Sequence, residues 1–243
     1  MKNQFFGDIN DYRKYGLLRL LAGGGGMKIG ICWMLTADDG APGGKLTGYL
    51  KNPTRWEKHD CGLFWRLREA VLVKQQRNVA QVRIMGILSA VKSHELHLTD
   101  KPSVRDRYFK RAFKKLLKVD LIFFDPDNGL EVKSSPRGTK DSSKYLYWKE
   151  VRQGFEELGK SLLIYQHFPP ENRQRFIVRK REEIKTHTEA QDIHAFKTPR
   201  VAFFLAVQPK HSEYFQRRIE ELERSSWHAE KQIVVCRDEG ERR

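Results

Sequence analysis

The sequence predicts an α/β fold: a doubly wound, mostly parallel sheet with room for an antiparallel edge. Three observations predict it. Apolar runs that read as buried strands alternate with segments of helical periodicity. Two of those runs, 120–124 and 161–166, end abruptly in polar, turn-forming residues. The length, 243 residues with 39% hydrophobic side chains, is ample for a buried core.

Each element has a local reason. Residues 11–22 form a helix, with Tyr15, Leu17, Leu18 and Leu21 at helical spacing and Asp8, Asn10 or Asp11 able to cap its start. Glycines at 23–26 stop it. Residues 28–35 read as a strand, followed by a Gly/Pro/Asp-rich loop through Gly48. Helices are expected over 63–75 and 79–87, and a short strand over 95–98. A basic helix, 104–118, leads into the strand 120–124. After an acidic turn and a polar loop, 133–143, comes a helix over 144–158. The strand 161–166 ends in His167-Phe168-Pro169-Pro170, and the helix 171–185 follows. Strands 193–196 and 201–207, a helix 211–224 and a strand 232–236 complete the chain. Strand 201–207 directly follows another strand and precedes the last helix–strand unit, which allows a late antiparallel edge. No repeat or linker divides the sequence, so 1–243 reads as a single α/β domain.

Composition narrows the function classes. No run approaches the roughly 18 apolar residues of a membrane span, and the first residues lack the apolar region of a signal peptide. The expectation is a cytoplasmic protein off the membrane. Cys32, Cys61 and Cys236 lie far apart without metal-ligand spacing and fit buried thiols in a reducing compartment. Charge is the strongest signal: 46 Lys and Arg against 31 Asp and Glu give +15. Such an excess favours a polyanion, with salt-dependent phosphate contacts. DNA is the expected partner, and nothing indicates an obligate protein partner. The basic residues group into Arg105, Arg107, Lys110, Arg111, Lys114, Lys115 and Lys118, and into Arg173, Arg175, Arg179, Lys180 and Arg181. A solvated helix face accounts for either group but not for the net excess. Lys110, Arg111, Lys114 and Arg179 are the expected DNA contacts.

Three polar clusters lie where ligands of open α/β sheets bind, beyond the carboxyl ends of strands. The first, Gly7-Asp-Ile-Asn-Asp-Tyr-Arg-Lys-Tyr-Gly16, is dense in groups that grip a phosphate, a sugar or a base edge. In it Asp11 shares a helix face with Lys14 and Tyr15. The second is Asp125-Pro-Asp127-Asn128-Gly129, extended by Glu131, Lys133, Lys144 and Tyr145. A turn alone needs one or two such residues, not four after an apolar run. Asp125 precedes proline and is restricted to extended backbone, so its oxygens are expected to serve turn amides. Asp127 is expected to stand free beside Asn128, with Gly129 letting the backbone bend close to a ligand. Asp127 is therefore the expected substrate-facing acid and Asp125 its positioning neighbour. The third cluster is Tyr165-Gln166-His167, its histidine fixed by the following prolines.

Several reactions fit these clusters. A base-excising DNA glycosylase needs a carboxylate to steady an oxocarbenium-like centre or activate water, a donor for the departing base, and a hold on a flipped nucleotide. Asp125, Asp127, His167 and Asn10 supply the chemistry; Asp8, Asp11, Lys14, Tyr15, Asn128, Lys144 and Tyr145 supply the hold. No metal or dissociable cofactor is required. Asp125-Pro126 and His167-Phe-Pro169 are similar in kind and order to the strand-end turns of uracil-DNA glycosylases. The S-adenosylmethionine-dependent amino-methyltransferases, with Asn/Asp-Pro-Pro-Tyr/Phe at a strand end, are the alternative. There the departures are Asp127 and Asn128 in place of proline and the stacking aromatic, and no Gly-rich turn after the strand 28–35. The N-terminal segment also faintly resembles that of ribosomal-RNA adenine methyltransferases. A metal nuclease using Glu131-Val-Lys133 ranks below both, and a non-enzymatic DNA-binding protein accounts for the charge alone.

Over nearly its whole length the chain resembles a widespread bacterial α/β family. The shared marks are Phe5-Phe-Gly-Asp-Ile-Asn-Asp-Tyr-Arg-Lys-Tyr-Gly16, Cys32-Trp-Met-Leu-Thr36, Phe123-Phe-Asp-Pro-Asp-Asn-Gly-Leu-Glu131, Ser143-Lys-Tyr-Leu-Tyr-Trp148 and Tyr165-Gln-His-Phe-Pro169. Through that family it is similar to anti-phage DNA glycosylases that excise glucosylated hydroxymethylcytosine. The resemblance implies a hydrolase of modified phage DNA, acting in antiviral defence and leaving abasic sites. It carries whole motifs and assigns no catalytic roles.

Overall fold

Successive strand residues point to opposite faces, so a strand covered by helices on both sides is apolar throughout. Leu121 and Phe123 pack on one face with Ile29, Ile31, Leu163 and Leu205. Ile122 and Phe124 pack on the other with Leu162, Ile164 and Phe204. The computed structural model describes residues 1–38, 44–89 and 91–237. In chain order its elements are α1 (Ile9–Ala22), β1 (Ile29–Cys32), α2 (Pro53–Trp56), α3 (Cys61–Arg68), α4 (Gln81–Ile84), β2 (Lys92–His94) and α5 (Pro102–Leu116). Then follow β3 (Leu121–Phe124), β4 (Gly129–Leu130), β5 (Tyr145–Leu146), α6 (Trp148–Arg152), β6 (Ser161–His167) and α7 (Arg173–Thr188). The last are β7 (Asp192–Lys197), β8 (Val201–Val207), α8 (Ser212–Glu223), α9 (Ser226–Ala229) and β9 (Val234–Cys236).

The main sheet has seven strands in the order β2-β1-β3-β6-β8-β7-β9. β2, β1, β3 and β6 are mutually parallel. β8 runs antiparallel to both β6 and β7, and β9 antiparallel to β7. Side chains of α1, α3 and α8 cover one face and those of α5, α6 and α7 the other. The fold is therefore the expected α/β arrangement with an antiparallel part. Val201–Val207 lies inside the sheet, however, and β9 forms the edge. The seven buried residues of β8 reflect its interior place.

From β1 the chain moves outward to β2 and then returns past β1 to β3, so the strand order reverses between β1 and β3. The segment after β1 passes to α3 on one face, and that after β3 to α6 on the other. Such a switch point leaves a crevice at the carboxyl ends of the two strands.

Several expected boundaries move for identifiable reasons. The strand 28–35 stops at Cys32 because Met34 adopts a left-handed φ of 47°. The short strand expected over 95–98 lies at Lys92–His94, a polar segment that pairs with Gly30–Cys32 through its backbone. The helix 63–75 begins at Cys61, capped by the Asp60 carboxylate on the Leu63 N–H, and ends in a π-helical turn over Glu69–Val73. Of 79–87 only Gln81–Ile84 is helical. The helix from 144 starts at Trp148, because Tyr145–Leu146 pair with Gly129–Leu130 as a two-stranded sheet. Residues 39–43 of the Gly/Pro/Asp-rich loop lie outside the described residues. Cys61 is exposed, unlike Cys32 and Cys236, and corrects the expectation of three buried thiols. No helix among the described residues is long and apolar enough to cross a membrane.

Candidate functional site

Strand β3 ends because its sequence forbids more ladder. The Asp125 N–H still donates to the Cys32 carbonyl at 3.1 Å, but Pro126 has no N–H to continue. Gly129, at φ 123°, turns the chain back. A Cβ there would stand 2.3 Å from the Gln166 carboxamide. Gly129 thus makes room for Gln166 and not, as expected, for a ligand. Gln166 accepts from the Leu130 N–H at 2.8 Å and donates to the Asn128 carbonyl at 3.2 Å, while the His167 N–H donates to the same carbonyl at 3.1 Å. The acidic turn is stitched to the end of β6.

The start of α1 packs against this turn. Asp8 caps the helix, accepting from the N–H groups of Asn10 (2.8 Å) and Asp11 (3.0 Å). Asp11 accepts from the Gly7 N–H and the Tyr15 hydroxyl. Lys14, one turn on, lies 2.7 Å from Asp11 and 2.8 Å from Asp125, with all three side chains at most 4% exposed. The helix face shared by Asp11, Lys14 and Tyr15 is thus real, but it turns inward. Lys14 and Tyr15 are buried and engaged, so neither is free to hold a phosphate or stack on a base.

The carboxylates differ in character. Burial, with the neighbouring Asp11, pushes Asp8 up to about 6. Burial also raises Asp125, against the pull of Lys14 and the Met1 ammonium. Burial alone would raise Asp127, but the Met1 ammonium at 2.7 Å and the donating Thr36 hydroxyl outweigh it and hold the acid below its ordinary range. Asp125 serves Lys14, not the turn amides expected for it. Asp127 is the more open acid, as expected, but it is paired and not free. Lys14 is raised, because Asp11 and Asp125 overcome the cost of its burial. The protein crowded around His167 lowers its imidazole, with Asp127 opposing, so the ring is neutral near pH 7.

These groups converge on one cavity of about 1280 Å³ at the switch point. Asp8, Asp11, Lys14, Asp125 and Asp127 form its floor, and Asn10, Asn128, Lys144 and His167 open onto it. The Asn10 Oδ1 atom is buried without a hydrogen-bond partner among the described residues. The His167 ring contacts the Tyr165 hydroxyl at 3.3 Å. Phe5 and Phe168 give apolar wall. Nine sequence-predicted residues thus meet across segments more than 150 positions apart.

The others do not. Tyr145, in β5, does not line the cavity. Lys110, Arg111 and Lys114 are exposed on α5, whose last turn leads into the start of β3 at the opposite edge of the sheet. Arg179 is clasped by Glu171 and Glu183 at 2.6 and 2.7 Å. Arg105, grouped by sequence with the DNA-facing cations, is fully buried. It forks onto Glu150 and donates to the Ser142 and Tyr145 carbonyls, fixing the segment whose Lys144 carbonyl accepts from the Asn128 N–H. Glu131 accepts from the Trp148 N–H through Oε2 and does not line the cavity, and neither does Lys133. Among the described residues no cluster of three His, Cys, Asp or Glu side chains could hold a metal ion.

Sequence reasoning missed Thr36, Lys45 and Arg200. Thr36 and Lys45 sit in irregular chain with no periodic signal, and the only cue for Arg200 was the Thr198-Pro199-Arg200 turn between two strands. No protein-family model matches this chain, and no curated protein matches it significantly.

Proposed function

We propose that the chain is a DNA glycosylase that hydrolyses the N-glycosidic bond of a modified base and leaves an abasic site. One observation carries this reading: an ionised carboxylate, Asp127, and a neutral imidazole, His167, face the same cavity from neighbouring strand ends. As the C1′–N bond lengthens, positive charge grows on the sugar and negative charge on the base. Asp127 stabilises the first and orients the water whose oxygen bonds to C1′. His167, with Nε2 accepting from Tyr165, donates from Nδ1 to the second. The water proton passes to the departing base through these groups. Asn10 and Asn128 offer amide edges for the base. A modified pyrimidine of phage DNA as substrate rests on the motif resemblance alone.

A methyltransferase would need space for its cofactor beyond β1. There Met34 and Thr36 are bound to Met1 and Asp127. The deciding experiment incubates the protein with plain and modified phage DNA plus chelator, followed by an abasic-site lyase. New lyase-labile sites support the proposal. Chelator-sensitive breaks, methyl transfer from labelled S-adenosylmethionine, or binding without covalent change would each replace it.

A further inference from the structure

The cavity is electrically divided. Asp8, Asp11, Asp125 and Asp127 lie at its buried floor around Lys14 and the Met1 ammonium. Lys45, Arg173 and Arg200 stand exposed at its rim, on three separate segments: the loop before residue 48, the first turn of α7 and the β7–β8 turn. Among the described residues none of these three cations has a carboxylate partner, in contrast to Arg179. The Arg173 guanidinium lies over the Phe168 ring, 5.0 Å from its centroid, which holds it against the wall. Arg200 is held close enough to Arg13 to help lower that buried guanidinium, a shift due first to burial. Positive charge is thus gathered at the mouth from three segments, while Glu171, the acid that also lines it, is taken by Arg179.

A phosphate placed on the floor would meet ionised Asp127. Two like charges that close repel even with the screening of a protein surface. The rim reverses the sign of that interaction. We infer that Lys45, Arg173 and Arg200 clamp the phosphodiester backbone of a DNA strand across the cavity mouth, while the acidic floor admits only the uncharged nucleoside part. This rests on the proposal that the cavity takes a nucleotide, and it moves the specific DNA interface from α5 to the rim.

The test measures binding of a fluorescent single-stranded deoxyoligonucleotide across a salt series. Each phosphate contact contributes about 0.7 to the slope of log K against log salt on a single strand. K45E, R173E and R200E together should lower that slope by about 2 and weaken binding at least ~10-fold at low salt. K110E, R111E and K114E together should leave the slope within about 0.7 of the unaltered protein. All six positions are exposed, and thermal unfolding checks each variant's fold. A nucleoside 5′-monophosphate should also compete better than the nucleoside, and should lose that advantage in the rim variant. An unchanged slope in the rim variant, or loss of slope only in the α5 variant, overturns the inference. Rim-dependent binding without abasic sites defeats the glycosylase and leaves this inference standing; abasic sites with a rim-independent slope do the reverse.

Discussion

Lys14 is the residue whose removal should be felt most. Its ammonium is 2% exposed and lies 2.7 Å from Asp11 and 2.8 Å from Asp125. Lys14→Met keeps much of the volume but leaves two carboxylates buried beside each other. Asp11 retains the Gly7 N–H and the Tyr15 hydroxyl; the Asp125 side chain loses its hydrogen-bond donor. Removing one partner of a buried ion pair costs about 3–5 kcal/mol, and that is the expected loss in urea unfolding at pH 7.5. Adding Asp125→Asn removes the stranded charge, so the double variant should regain about 1–3 kcal/mol of it. The pH dependence follows from the sign of the Asp125 shift. Its folded pKa is already raised by burial, and without Lys14 it rises further. A raised carboxyl favours the folded state at low pH and loses that contribution as pH climbs through the folded pKa. The deficit of Lys14→Met should therefore shrink between pH 7.5 and pH 5. A loss under about 1 kcal/mol, an equal deficit at both pH values, or no rescue by the second substitution would refute the reasoning.

Three further outcomes follow from the same geometry. Asp8→Asn should raise stability by about 1–3 kcal/mol at pH 7.5 and by nothing at pH 4. The native acid, raised to about 6, loses its contribution as pH rises through that value, and Asn caps the helix as well; equal effects at both pH values in thermal unfolding would contradict it. Asp127→Asn should cut base excision by on the order of 10²–10⁴ with folding intact, whereas Asp125→Asn should mainly destabilise, by about 2 kcal/mol or more. Full activity in the first beside a folded but inactive second would reverse the roles. Gly129→Ala should cost about 3 kcal/mol or more and loosen the Gln166 contacts, seen as a lowered urea midpoint, because a Cβ at φ 123° stands 2.3 Å from that carboxamide.

How much of this was legible in the sequence depends on whether a local pattern carried it. Leu121-Ile-Phe-Phe124 and Leu162-Leu-Ile-Tyr165 announce themselves because both faces are covered and the run stays apolar or aromatic up to the break. Lys92–His94 does not, because its membership comes from backbone pairing with β1 and not from its side chains. The cavity's acids and His167 were readable as abrupt strand ends. Their partners were not, since Lys14 reaches Asp125 across 111 positions and looks like any surface lysine until the helix is docked. Arg105 misled for the same reason: a helix rich in exposed cations hides the one that points inward. Lys45 and Arg200 gave no periodic signal, and only the closing of three segments on one mouth distinguishes them from the other basic residues.

The burial of so much charge at one place needs its own explanation. A buried ion cluster is weak support for stability, since apolar replacements of similar volume are often as good or better. This one lies at the switch point of the sheet and not elsewhere in the two cores. Four carboxylates, Asp8, Asp11, Asp125 and Asp127, cluster there with the ammonium groups of Lys14 and Met1, while buried Lys2 and Arg13 add positive charge beside Asp127 and Asp8. Ionised Asp127 in that cluster favours a sugar that becomes cationic as its base departs. Asp8 tunes the cluster: protonated below about pH 6, it withdraws one negative charge without breaking the Lys14 pairs. The cost to the fold and the benefit to the reaction thus reside in the same side chains.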